Sequence, residues 1–196
     1  MIIHFSSDQE KNIERKHTDM NGHEIIVKKK MLLHNYSKIL NKYLTSMNLI
    51  NILNEIVIDI VPGHKECFFL SSNYKLARVY YDDIDNGRDF DQVMVHQLGH
   101  IQDVLVRGFD LKGFREIKRI DFNLGYILWD IHLDGRLVKE RYFTYFQEQS
   151  LYYEHKMKFR ILENKVKENI DVLFDSMWAK NDYNLADVKS IFCRLN

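Results

Sequence analysis

One proline and two cysteines in 196 residues leave little to staple or punctuate this chain. Cys67 and Cys193 are too few for a disulfide framework and lack metal-site spacing between them, so both read as free thiols in a reducing compartment. Charge of either sign is missing in excess: 28 Lys and Arg balance 28 Asp and Glu. Nucleic-acid and membrane-surface partners call for a basic footprint, and none is present. Lys28-Lys29-Lys30 is the densest basic run and reads as a solvated helix face. No apolar stretch approaches the roughly 20 residues of a membrane span. Met1-Ile2-Ile3-His4-Phe5, followed by polar sequence, is too short for a signal-peptide core. The expected address is therefore cytoplasmic. Internal repeats, a glycine-rich phosphate loop and Ser or Cys nucleophile motifs are also missing. Cys67 follows His64 by three residues after the Pro62-Gly63 turn, a spacing that reads as incidental.

What is present is apolar. Hydrophobic residues make up 45% of the chain and aromatics 13%, enough for a full core and against disorder. The length fits one domain, residues 1–196, with an α/β part to about residue 115 and a helical part over about 116–196. Abundant Lys, Asn, Ile and Tyr point to an AT-rich coding source, bacterial or phage.

The pattern predicts a helix over residues 24–48, with Ile26, Met31, Leu32, Tyr36, Ile39, Leu40 and Leu44 near one face. Asn54–Val61 is β-branched and partly alternating, a strand ended by Pro62-Gly63. Strands at 67–70 and 75–81 are joined by the Ser71-Ser72-Asn73 turn, and a polar loop at 82–88 leads into a helix at 90–107. Further helices are expected at 116–140, 147–168, 169–179 and 185–195. The expected fold is α+β: a small, mostly antiparallel sheet, a helix carrying the functional residues, and a helical C-terminal half.

His96-Gln97-Leu98-Gly99-His100 is the segment that speaks about chemistry. Histidines four apart share one helix face, so both imidazoles can reach one cation. Val93, Met94, Ile101 and Leu105 supply an apolar stripe that buries the helix. Gly99 sits mid-helix at a cost of about 1 kcal/mol, which a close neighbour would explain. A zinc site needs a third protein ligand. Asp134 falls in a gap of the apolar stripe Ile117, Ile120, Leu124, Ile127, Ile131, Val138, where a carboxylate wants a cation or hydrogen-bond donors. His132 is the alternative, since imidazole is the commoner zinc donor. The two lie two residues apart, so a regular helix turns only one of them toward a common point. Asp130 and Asp103, each one turn from a candidate ligand, are candidates for carboxylates that orient a histidine. Asp134-Gly135 can also be read as a helix-ending turn.

The segment resembles the active-site helix of zincin metallopeptidases, in which apolar-His-Glu-Leu-Gly-His-apolar is frequent. Trp129-Asp130-Ile131-His132-Leu133-Asp134 is similar to the Trp-Asn-Ile-Ala-x-Asp segment of some bacterial zincin-like domains, whose last Asp is the presumed third ligand. The resemblance implies a Zn2+-dependent hydrolase of peptide bonds acting on a peptide or protein substrate. In it, zinc polarises the scissile carbonyl and lowers the pKa of a bound water, and a glutamate after the first histidine takes the proton. It also implies a strand before the helix at a sheet edge, where a peptide can add as a further strand. Arg78-Val79-Tyr80-Tyr81 is the candidate edge, with Val79, Tyr80 and Tyr81 facing substrate.

The chain departs from that family at the general base, where Gln97 stands. An amide keeps the reach of a carboxylate but cannot take the proton. Loss of a positioned base typically costs about 10²–10⁴ in rate. Gln97 is either an engineered replacement of glutamate or native to a metal-binding or protein-interaction descendant. A plain helical interaction protein with incidental histidines is the remaining alternative. Oligomeric state is not written in the pattern.

Overall fold

The computed structural model describes residues 1–6, 14–18, 24–61, 66–82, 90–162 and 169–195. The expected Pro62-Gly63 turn, His64, most of the 82–88 loop and the end of the 147–168 helix lie outside the described residues. The chain divides into two compact units, Met1–Leu105 and Val106–Asn196.

Among the described residues the first unit holds six strands and two helices: β1 (Ile2–Ser6), β2 (Glu14–Thr18), β3 (Glu24–Lys28), α1 (Lys29–Ser46), β4 (Glu55–Ile60), β5 (Cys67–Leu70), β6 (Leu76–Tyr81) and α2 (Phe90–Leu105). Four strands form one sheet in the order β1-β4-β6-β5, and β2 and β3 form a separate antiparallel pair. β4 pairs parallel to both β1 and β6, and only β5 runs antiparallel, against β6. The sheet is therefore mixed and not mostly antiparallel. α1, with β2 and β3 before it, lies in the long connection between β1 and its parallel neighbour β4.

Period-2 alternation sorts the sheet's side chains onto two faces. Ile56, Ile58 and Ile60 line up with Ala77, Val79 and Tyr81, and all six are buried. On the opposite face Arg78 bonds to the buried Asp59 at 3.2 Å. The predicted helix at 24–48 is really strand and then helix: Ile25-Ile26-Val27 is β-branched and pairs with β2 over Glu14–Thr18. Its Ile26 happens to fall in phase with the helical stripe that follows. Leu40, Leu44, Met47 and Leu49 then join the core, and Gln102 on α2 donates to the Met47 carbonyl at 3.3 Å.

The second unit is helical: α3 (Leu111–Ile120), α4 (Phe122–Lys139), α5 (Tyr145–Arg160), α6 (Ile170–Trp178) and α7 (Leu185–Leu195). The single helix expected over 116–140 is broken at Asp121. That residue ends α3 in an extended conformation (φ −144°), and its carboxylate accepts from Leu124 N–H, starting α4. The apolar stripe runs through the break, so periodicity alone hid it. Asp110, Thr144 and Asn169 cap α3, α5 and α6 in the same way, each side chain accepting a hydrogen bond from a free N–H of the first turn. Phe109, Phe114 and Trp129 pack face to face and edge to face in the core of this unit. Among the described residues, no helix is long and apolar enough to cross a membrane.

Candidate metal centre

α2 is buried along most of its length because Val93, Met94, Leu98 and Ile101 recur at helical steps. The same spacing buries His96 and His100 side by side. Their rings stand perpendicular, with centroids 4.7 Å apart, and the two Nε2 atoms approach to 3.2 Å. Two nitrogens at 2.0–2.1 Å from a tetrahedral zinc would be about 3.3 Å apart. The pair is thus spaced for one cation. A direct hydrogen bond between the two nitrogens, with one ring donating, is the competing use of the same distance.

The neighbours sharpen the picture. Phe68 stacks on the His100 ring at 5.5 Å and 17°. Gln97 is buried beside the pair in sequence, and its Oε1 has no hydrogen-bond partner among the described residues. An unpaired buried amide oxygen costs about 1–3 kcal/mol, so a donor such as water is wanted there. Asp103 is buried on α2 nearly one full turn beyond His100.

The expected substrate edge at Val79, Tyr80 and Tyr81 needs correction. β6 has a strand on either side, β4 and β5, so its backbone N–H and C=O groups are used within the sheet. Val79 and Tyr81 are buried in the core face. The edge beside the histidines is β5, which carries Phe68, and Phe69 on its other face is exposed. A four-residue strand next to a turn gave little sign of being outermost.

In the second unit α4 carries the acidic and imidazole candidates. Asp134-Gly135 does not end the helix, which continues to Lys139. Asp134 is wholly buried, and its Oδ2 lies 2.7 Å from His155 Nε2 on α5. Asp130 is half-buried one turn earlier on the same side of α4. His132 points elsewhere: its Nδ1 donates to the Met177 carbonyl at 3.1 Å and its ring stacks on Tyr183 at 4.9 Å. Its buried Nε2 has no hydrogen-bond partner among the described residues. Burial pushes the His132 pKa down to about 4, against the Met177 carbonyl, which favours the charged ring. It is a neutral core histidine near pH 7.

His155 is the residue that reading the sequence missed. The signal was present, since Leu151, His155 and Phe159 recur at four-residue steps and all face inward. A histidine within such a stripe wants a partner, and Asp134 is that partner. Trp178 packs against the His155 ring at 5.9 Å. No protein-family model, curated protein or solved structure matches the chain.

Proposed function

We propose that this chain is a metal-binding domain of the metallopeptidase type, with zinc held by His96, His100 and a carboxylate of α4, and with hydrolysis suppressed by Gln97. The single observation that carries it is the 3.2 Å approach of two buried imidazole Nε2 atoms, the separation two ligands of one tetrahedral zinc require. The donor set of imidazoles and carboxylate suits zinc over a hard cation such as calcium. The third donor expected from the sequence is Asp134, whose carboxylate meets His155 within its own unit, a contact that braces α4.

A zinc so held would lower the pKa of a bound water and polarise a peptide carbonyl. Gln97 can hold that water by a hydrogen bond, which answers its unpaired oxygen, but cannot accept its proton. The edge strand β5 beside His100 offers backbone groups to an extended peptide. The protein therefore binds peptide and metal and turns over slowly. A non-catalytic metal-binding or interaction role is the second reading, favoured by Gln97 itself.

Gln97→Glu restores the base and separates the two. Cleavage of a broad peptide library, abolished by a chelator and about 10²–10⁴ faster than with glutamine, is the expected result. A Gln97→Glu protein that binds zinc and cleaves nothing refutes the peptidase reading and leaves the binding role.

A further inference from the structure

Helix α5 is apolar on two sides, and only one of them is buried. Leu151, His155 and Phe159 face inward. Outward lie Phe146, 83% exposed, Tyr153 and Met157, each 62% exposed, and Ile161 at the helix end, 81% exposed, with Tyr145 alongside at 78%. The positions 146, 150, 153 and 157 step by four, three and four, the 3.5-residue seam along which two helices pack knobs into holes. Ser150 is the small residue of that seam.

At roughly 200 Å² per large side chain, these five residues expose about 700 Å². The largest apolar patch of a typical monomer is about 300–600 Å². A standard stable interface takes about 800 Å² from each partner. The stripe has the area of half a dimer interface, and a surface that covers itself by two-fold symmetry needs no other partner.

Helix polarity sets the direction. Lys158 and Arg160 form exposed pairs with Glu154 and Asp171, which keep both heads at the surface. We propose that α5 is a homodimer interface in which two copies of the helix pack antiparallel about an axis beside Tyr153. Phe146 then meets Ile161 of the partner subunit, and Ser150 meets Met157 of the partner subunit. The helix dipoles oppose in this arrangement, whereas a parallel pair would align them. The interface is independent of the metal site.

Sedimentation of the full chain at micromolar concentration tests it. The expected mass is twice the 23.6 kDa of one chain. Phe146→Glu with Met157→Glu should weaken association by about a hundredfold or more, because each buries an unpaired charge. Ile120→Glu, at an equally exposed apolar site on α3, should leave it unchanged. In a background with Cys67 and Cys193 replaced by serine, Tyr153→Cys should cross-link to itself and Phe146→Cys should not. A chain that stays at 23.6 kDa overturns the proposal, as does a dimer untouched by the double substitution. Self-cross-linking at position 146 overturns the antiparallel arrangement.

Discussion

Gly135→Ala adds a methyl where α4 and α6 leave no room for one. A Cβ there would sit far inside van der Waals contact with the Trp178 carbonyl oxygen, and 3.0 Å from that residue's carbonyl carbon and Cα. Carbon contacts settle at about 3.5–4.0 Å, so α6 must retreat by about 0.5–1 Å. In an exposed helix the same change gains about 1 kcal/mol. Overpacking costs about 1–3 kcal/mol, and the upper end applies because the blocking atoms are backbone and cannot rotate away. The net expectation is a loss of about 2 kcal/mol. For a chain of this length that lowers Tm by about 4–8 °C. Urea unfolding followed by far-UV circular dichroism should show the same loss as a lower midpoint with an unchanged slope. Gly125→Ala is the comparison: its Cβ would meet a methyl of Ile117 at 3.0 Å, a side chain able to turn aside. It should cost less than about 1 kcal/mol. A Gly135→Ala protein as stable as the parent, or more so, would refute the close contact between α4 and α6.

Acid should loosen the second unit through His132. Its folded pKa, about 4, lies below the ordinary value of 6.5, so the unfolded chain takes up the proton first. Stability is full above pH 6.5 and falls by about 3 kcal/mol as pH drops toward 4. Urea midpoints measured across that window should lose most of this slope in His132→Phe, and an unchanged slope would contradict it. Asp134→Asn should cost about 1–3 kcal/mol by spoiling the buried bond to His155 and, as the third donor expected from the sequence, should also weaken zinc affinity. Asp130→Asn should leave the urea midpoint near that of the parent. If Asp134→Asn keeps zinc at full affinity, Asp134 is not the ligand.

Much of this protein is written in its periodicities. The steps of α2 gave its start at 90, an end two residues past the observed Leu105, and the pairing of His96 with His100, because one 3.6-residue repeat fixes burial and side-chain direction together. α7 and the short strand β5 were legible for the same reason, with apolar runs bounded by polar sequence. Local pattern failed where two signals overlapped. Ile26 served equally well in a helix stripe and a β-branched run, and Asp121 broke a helix without breaking its apolar phase. Pairing across the sheet is not local at all. Nothing in Arg78-Val79-Tyr80-Tyr81 says that β5 folds back along its outer side, so the edge was assigned to the wrong strand. The partner of Asp134 was similarly remote: His155 lies 21 residues away on another helix. The Nε2 spacing and the unpaired Gln97 oxygen exist only in three dimensions.

The central claim is that His96 and His100 share a cation. Elemental analysis of the full chain, purified without added metal and then dialysed against micromolar zinc, tests it most directly. The expected content is about one zinc per chain, lost in His96→Ala and in His100→Ala while each variant keeps its helical circular dichroism. A folded parent protein that takes up no zinc, or one whose zinc survives both substitutions, would contradict it.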